Sequence, residues 1–68
     1  MLEKRSLSLA GHRTSIALEP DFWVVLTAIA AARSMPLARL IADIDAIRAP
    51  EQKLASALRV FALHHRPV

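Results

Sequence analysis

Apolar and polar residues alternate along His12-Arg13-Thr14-Ser15-Ile16-Ala17-Leu18. Thr14, Ile16 and Leu18 fall on one side and Arg13, Ser15 and Ala17 on the other, which predicts one short strand over about 12–18. β-branched Thr14 and Ile16 suit an extended chain, and Gly11, the sole glycine, marks its approach. Beyond Leu18 the spacing becomes helical. Glu19-Pro20-Asp21 opens a first helix, with Pro20 where no amide donor is needed and acids near the positive end of the helix dipole. Phe22, Leu26, Ile29 and Ala30 form its apolar stripe, Trp23 widens it, and the pattern runs to about residue 33. Leu37, Leu40, Ile41, Ile44 and Ile47 predict a second helix over about 36–47. Pro50 disfavours helix at Ala49 and suits the first turn of a third, about 50–65, where Leu54, Ala57, Leu58, Phe61 and His65 share a side. No internal repeat stands out.

The predicted fold is therefore mainly α: one short N-terminal strand followed by three helices. Residues 1–11 read as a flexible basic arm and 12–66 as the folded domain. A lone strand leaves backbone donors and acceptors unpaired on both edges. Pairing with the same strand of a second copy around a two-fold axis resolves this, and it predicts an intertwined homodimer.

Composition points the same way. At 54% hydrophobic the 68-residue chain is too apolar for a disordered tail, and with 4% aromatic residues the burial falls to Ala, Leu, Val and Ile. A domain of this size hides only about 60% of its unfolded surface, so a staple or a partner is expected. The absence of cysteine removes disulfides, iron–sulfur clusters and thiolate zinc sites, leaving oligomerisation. The net charge is +3, and Lys4, Arg5 and Arg13 against Glu3 concentrate it in the first fourteen residues. That bias suits a polyanion, with a solvated tail as the bland alternative. The polar stretch after Lys4 and Arg5 is not a signal peptide, and the apolar run from Phe22 to Ala32 is too short to span a bilayer. A cytoplasmic protein with no membrane contact is expected.

Gly11-His12-Arg13-Thr14-Ser15-Ile16 followed by Leu18-Glu19-Pro20-x-Phe22-Trp23 resembles the ribbon-helix-helix family of bacterial transcriptional regulators, the Arc/MetJ type. The tail Ala57-Leu58-Arg59-Val60-Phe61 is similar to that of a small single-domain subfamily. The resemblance implies an antiparallel ribbon, one strand from each subunit, entering the DNA major groove. It places Arg13, Ser15 and Ala17 outward as base-reading residues, with Arg13 suited to the two acceptors of guanine. It implies a phosphate contact at the second-helix start, Leu37, Ala38 and Arg39, where free amides meet the helix dipole. Lys4 and Arg5 of the basic arm and His12 beside the ribbon read as further phosphate contacts, with a disordered arm and a plain surface imidazole as the alternatives. Ile16, Leu18, Phe22, Trp23, Leu26, Leu40, Ile41 and Ile44 become the dimer core. The turn Ser34-Met35-Pro36 departs from the family's Gly and Ser-type cap, because Pro36 offers neither an amide donor nor a hydroxyl; Ser34 is the alternative cap.

Other chemistry finds little support. His64 and His65 are adjacent and point apart on a helix, so no metal site is expected. Asp43 and Asp45 do not face each other, one glycine cannot cradle a phosphate, and no nucleophile, base and orienting group form a set. No cofactor and no enzymatic activity are expected. The leading expectation is a homodimeric, sequence-specific DNA-binding regulator, read as a repressor. The alternatives are an antitoxin-like adaptor gripping a protein partner through its C-terminal helix, where Val60 and Leu63 lie off the apolar stripe, and a dimerisation module without DNA binding.

Overall fold

The computed structural model describes residues 1–67. The chain folds as two strands and then three helices: β1 (Glu3–Leu9), β2 (His12–Leu18), α1 (Pro20–Ala32), α2 (Leu37–Ile47) and α3 (Leu54–His65). β1 and β2 form a two-stranded antiparallel sheet in which Ser6 lies opposite Ser15 and Leu9 opposite His12.

This corrects the sequence reading at its start. Residues 3–9 are a paired strand rather than a flexible arm, and β2 finds its partner within its own chain. An orphan strand therefore no longer calls for an intertwined dimer. The physical cause is the Ala10-Gly11 link, whose φ angles of 50° and 82° are both positive. A two-residue loop with both central residues left-handed matches the twist of the flanking strands and closes a tight hairpin. Leu7 and Leu9 then share a face with Ile16 and Leu18, and that face covers the helices.

α1 begins where Pro20 predicts and ends in a left-handed cap. The Ser34 amide donates to Ala31 O at 3.0 Å and the Met35 amide to Ala30 O at 3.0 Å, with Ser34 at φ 55°. This pair of bonds is the Schellman motif, and the left-handed position is the one glycine usually fills. Ser34 thus terminates α1, and among the described residues no side chain caps α2.

α3 starts four residues later than the sequence predicts. Pro50 serves a turn instead: the Gln52 amide donates to Ala49 O at 3.0 Å, placing Pro50 where a β-turn favours proline. Arg48 holds this turn, donating to Asp45 at 2.7 Å and to Gln52 O at 2.6 Å.

The core lies between the sheet and the helices, with α2 against β1 and α3 against β2. Trp23, Leu18, Leu26, Leu40, Ile41 and Leu58 are its largest fully buried side chains. Ile16 and Ile44 are buried with them, and Phe22 is half-buried. The residues expected to form a dimer core are thus a core within one chain. Among the described residues no single helix is long and apolar enough to cross a membrane; α1 and α2 reach that length and apolarity only together, across a 100° bend.

Candidate nucleic-acid interface

Directly opposed residues of an antiparallel pair point to the same face. The register therefore sorts the hairpin into two surfaces. Glu3, Arg5, Leu7, Leu9, His12, Thr14, Ile16 and Leu18 turn toward the helices, Leu9, Ile16 and Leu18 being buried. Lys4, Ser6, Ser8, Arg13, Ser15 and Ala17 form the outward face, all exposed except half-buried Ala17.

The outward face carries two cations, three hydroxyls and a methyl, with no carboxylate and no bulky apolar group. Ser6 Oγ and Ser15 Oγ are 3.3 Å apart at its centre, and Arg13 Nη1 donates to Ser8 Oγ at 3.4 Å. Short side chains let a backbone ribbon approach a surface closely. Arg13 supplies a forked donor, and the serines can donate or accept. The three expected base-reading residues are thus brought together. Lys4 joins them, and β1 adds Ser6 and Ser8, which the sequence reading missed. The alternation Ser6-Leu7-Ser8-Leu9 was their available signal.

The other expected contacts are dispersed. Arg5 lies on the opposite face from Lys4, bonded to the Glu3 carboxylate at 2.6 Å and stacked over Trp23 at 4.7 Å from the ring centre. His12 is exposed at the turn, on the helix side of the ribbon. At the start of α2 the Arg39 and Leu40 amides bond back to Pro36 O. No partner for the Leu37 or Ala38 amide is found among the described residues, so these two remain open to an anion. Arg39 is exposed, with Asp43 at 3.7 Å.

Two buttresses fix the ribbon on the helices. Trp23 Nε1 donates to Glu3 O at 2.8 Å, tying β1 to α1. Arg59 of α3 donates to the Glu19 carboxylate at 2.9 Å, at the junction of β2 and α1. Glu19 is held below its ordinary value of 4.5 by a hydrogen bond from its own main chain first and by the Arg59 guanidinium next. Among the described residues no cluster of three metal-ligating side chains occurs.

An uncharacterized protein from Bordetella pertussis Tohama I has a similar solved structure, with a TM-score of 0.75 and 36% sequence identity. The alignment covers 93% of this chain and 54% of that one, so the chain spans about half the length of this relative. No curated protein matches the chain. The family model for the ribbon-helix-helix domain matches residues 2–66, from the first strand through the third helix, and the chain belongs to that family.

Proposed function

We propose that this protein is a sequence-specific DNA-binding transcriptional regulator, acting as a repressor, that lays the outward face of its hairpin in the major groove. The observation that carries this reading is the composition of that face: Lys4, Ser6, Ser8, Arg13, Ser15 and Ala17, with no acid among them. A two-stranded ribbon fits the width of the major groove, and groups of this kind can bond base edges there. Arg13 reads guanine, Ser15 a neighbouring edge, and Ala17 admits a thymine methyl. His12, the Leu37 and Ala38 amides and Arg39 meet phosphates and set the register. Ribbon-helix-helix proteins typically dimerise and bind DNA, and we extend both properties to this chain.

The test is selection from a random-sequence duplex library, followed by titration of enriched duplexes across a salt series. Enrichment of one motif is expected, with affinity falling steeply as salt rises because phosphate contacts release counterions. Absence of enrichment at low salt, by folded protein, contradicts the reading.

A second reading is favoured by one feature. Ile47, Val60 and Leu63 are exposed, and Ile47 and Val60 line a shallow cleft between α2 and α3. In an antitoxin-type adaptor this cleft grips a partner protein. Ile47→Ser with Val60→Ser then abolishes the partner complex and leaves duplex selection unchanged.

A further inference from the structure

The hairpin register draws out a short internal repeat that the reading of the sequence missed. Lys4-Arg5-Ser6-Leu7-Ser8-Leu9 aligns without a gap on Arg13-Thr14-Ser15-Ile16-Ala17-Leu18. Five of the six positions keep their type: a cation, a serine, a branched aliphatic, a small residue and a leucine. Arg5 against Thr14 is the exception. In the sheet Ser6 stands directly opposite Ser15, Ser8 opposite Arg13 and Lys4 opposite Ala17. An approximate two-fold axis therefore passes between Ser6 and Ser15, whose hydroxyls are 3.3 Å apart. Rotation about it brings Lys4 onto Arg13, Ser8 onto Ala17, Leu7 onto Ile16 and Leu9 onto Leu18. Leu9 and Leu18 are both buried, so the symmetry holds at the core as well as outside.

A ribbon made from one strand of each of two copies has this symmetry by construction. Here β1 takes the place of the second copy's strand. We infer that one chain carries a complete, pseudo-two-fold reading ribbon, and that Lys4 reads a base edge at the position related by the local dyad to that of Arg13. The base-reading half of this inference rests on the DNA-binding reading above; the one-chain ribbon does not. It moves Lys4 from a phosphate role to a specificity role and adds Ser6 as the counterpart of Ser15. It also makes the site unequal. Arginine forks onto the two acceptors of guanine, whereas lysine presents a point charge, so the Arg13 side discriminates more sharply.

The experiment has one arm without DNA and one with it. Opposed residues in an antiparallel pair lie within the Cα separation a disulfide spans. Oxidised full-length Ser6→Cys/Ser15→Cys is expected to close within the chain, giving a monomer two hydrogens lighter by intact mass, while Ser15→Cys alone stays uncrosslinked. A covalent dimer from Ser15→Cys places two copies of β2 side by side and overturns the one-chain ribbon. Circular dichroism of the reduced proteins checks folding. If the first pair fails to fold, Lys4→Cys/Ala17→Cys, with Ala17→Cys as its single variant, reads the same geometry. In the DNA arm, the random-duplex selection is run with Lys4→Ala and Arg13→Ala. Each is expected to relax preference about tenfold or more at one base pair, the two positions being related by a local dyad. Uniform weakening at every position by Lys4→Ala assigns it to phosphate and overturns its base-reading role. Failure of every protein to enrich a sequence rejects DNA reading itself, and the disulfide result still decides the one-chain ribbon.

Discussion

The indole N–H of Trp23 donates to the main-chain oxygen of Glu3 at 2.8 Å, joining residues 20 apart in sequence. Trp23 is fully buried, and Arg5 stacks on its ring from the strand side. One side chain therefore anchors the open end of the hairpin, while the tight turn fixes the other. Trp23→Phe keeps most of the apolar volume and loses the bond, so it is expected to cost about 1–2 kcal/mol in urea denaturation. Amide exchange is expected to quicken at the Glu3/Leu18 end of the ribbon more than at the Leu9/His12 end. Uniform acceleration along both strands would contradict the anchoring role.

The pair between Glu19 and Arg59 makes the docking of α3 sensitive to acid. Because the folded state holds the Glu19 carboxyl below its ordinary 4.5, folding favours the ionised form. Its stabilising contribution is full above about pH 4.5 and is lost as pH falls through the lower, folded-state value. Thermal melts of wild type and Glu19→Gln are expected to differ at neutral pH and to converge on acidification. A constant difference down to acid pH would show that the carboxylate charge plays no part.

Among the described residues three occupy left-handed backbone, and only one of these is glycine. Ser34→Gly relieves the cap of α1 and is expected to stabilise by about 0.5–1 kcal/mol, raising Tm by about 2–8 °C. Gly11→Ala is expected to destabilise by about 1 kcal/mol. Open space surrounds Gly11, so that cost comes from φ alone. Differential scanning calorimetry reads both effects. A stabilising Gly11→Ala would contradict the turn geometry.

Much of this architecture was legible in the residues. Thr14, Ile16 and Leu18 marked β2, Pro20 marked the start of α1, and the Leu37 to Ile47 spacing marked α2. β1 escaped because Glu3 and Arg5 occupy the helix-facing side near the open end, where charge at the rim breaks the apolar alternation. Its turn, Ala10-Gly11, lacks the Asn or Asp that usually announces such a hairpin. Pro50 reads as a helix start in the sequence, but it serves a turn, which the local Arg48 bond to Gln52 O, four residues away, holds in place. Arg13, Ser15 and Ala17 were grouped by alternation alone, whereas Ser6 and Ser8 joined them only through the strand register. The Glu19 and Arg59 pair spans 40 residues and leaves no local pattern.

The proposed DNA reading turns on Arg13, which would meet base edges in the major groove from the outward face of the hairpin. Methylation interference on an enriched duplex probes this contact, because dimethyl sulfate modifies guanine N7, an acceptor in that groove. Methylation of specific guanines is expected to block wild-type binding, and Arg13→Ala is expected to lose the block at one of them while keeping its salt dependence. Binding indifferent to guanine methylation, or an unchanged interference pattern in Arg13→Ala, would contradict it.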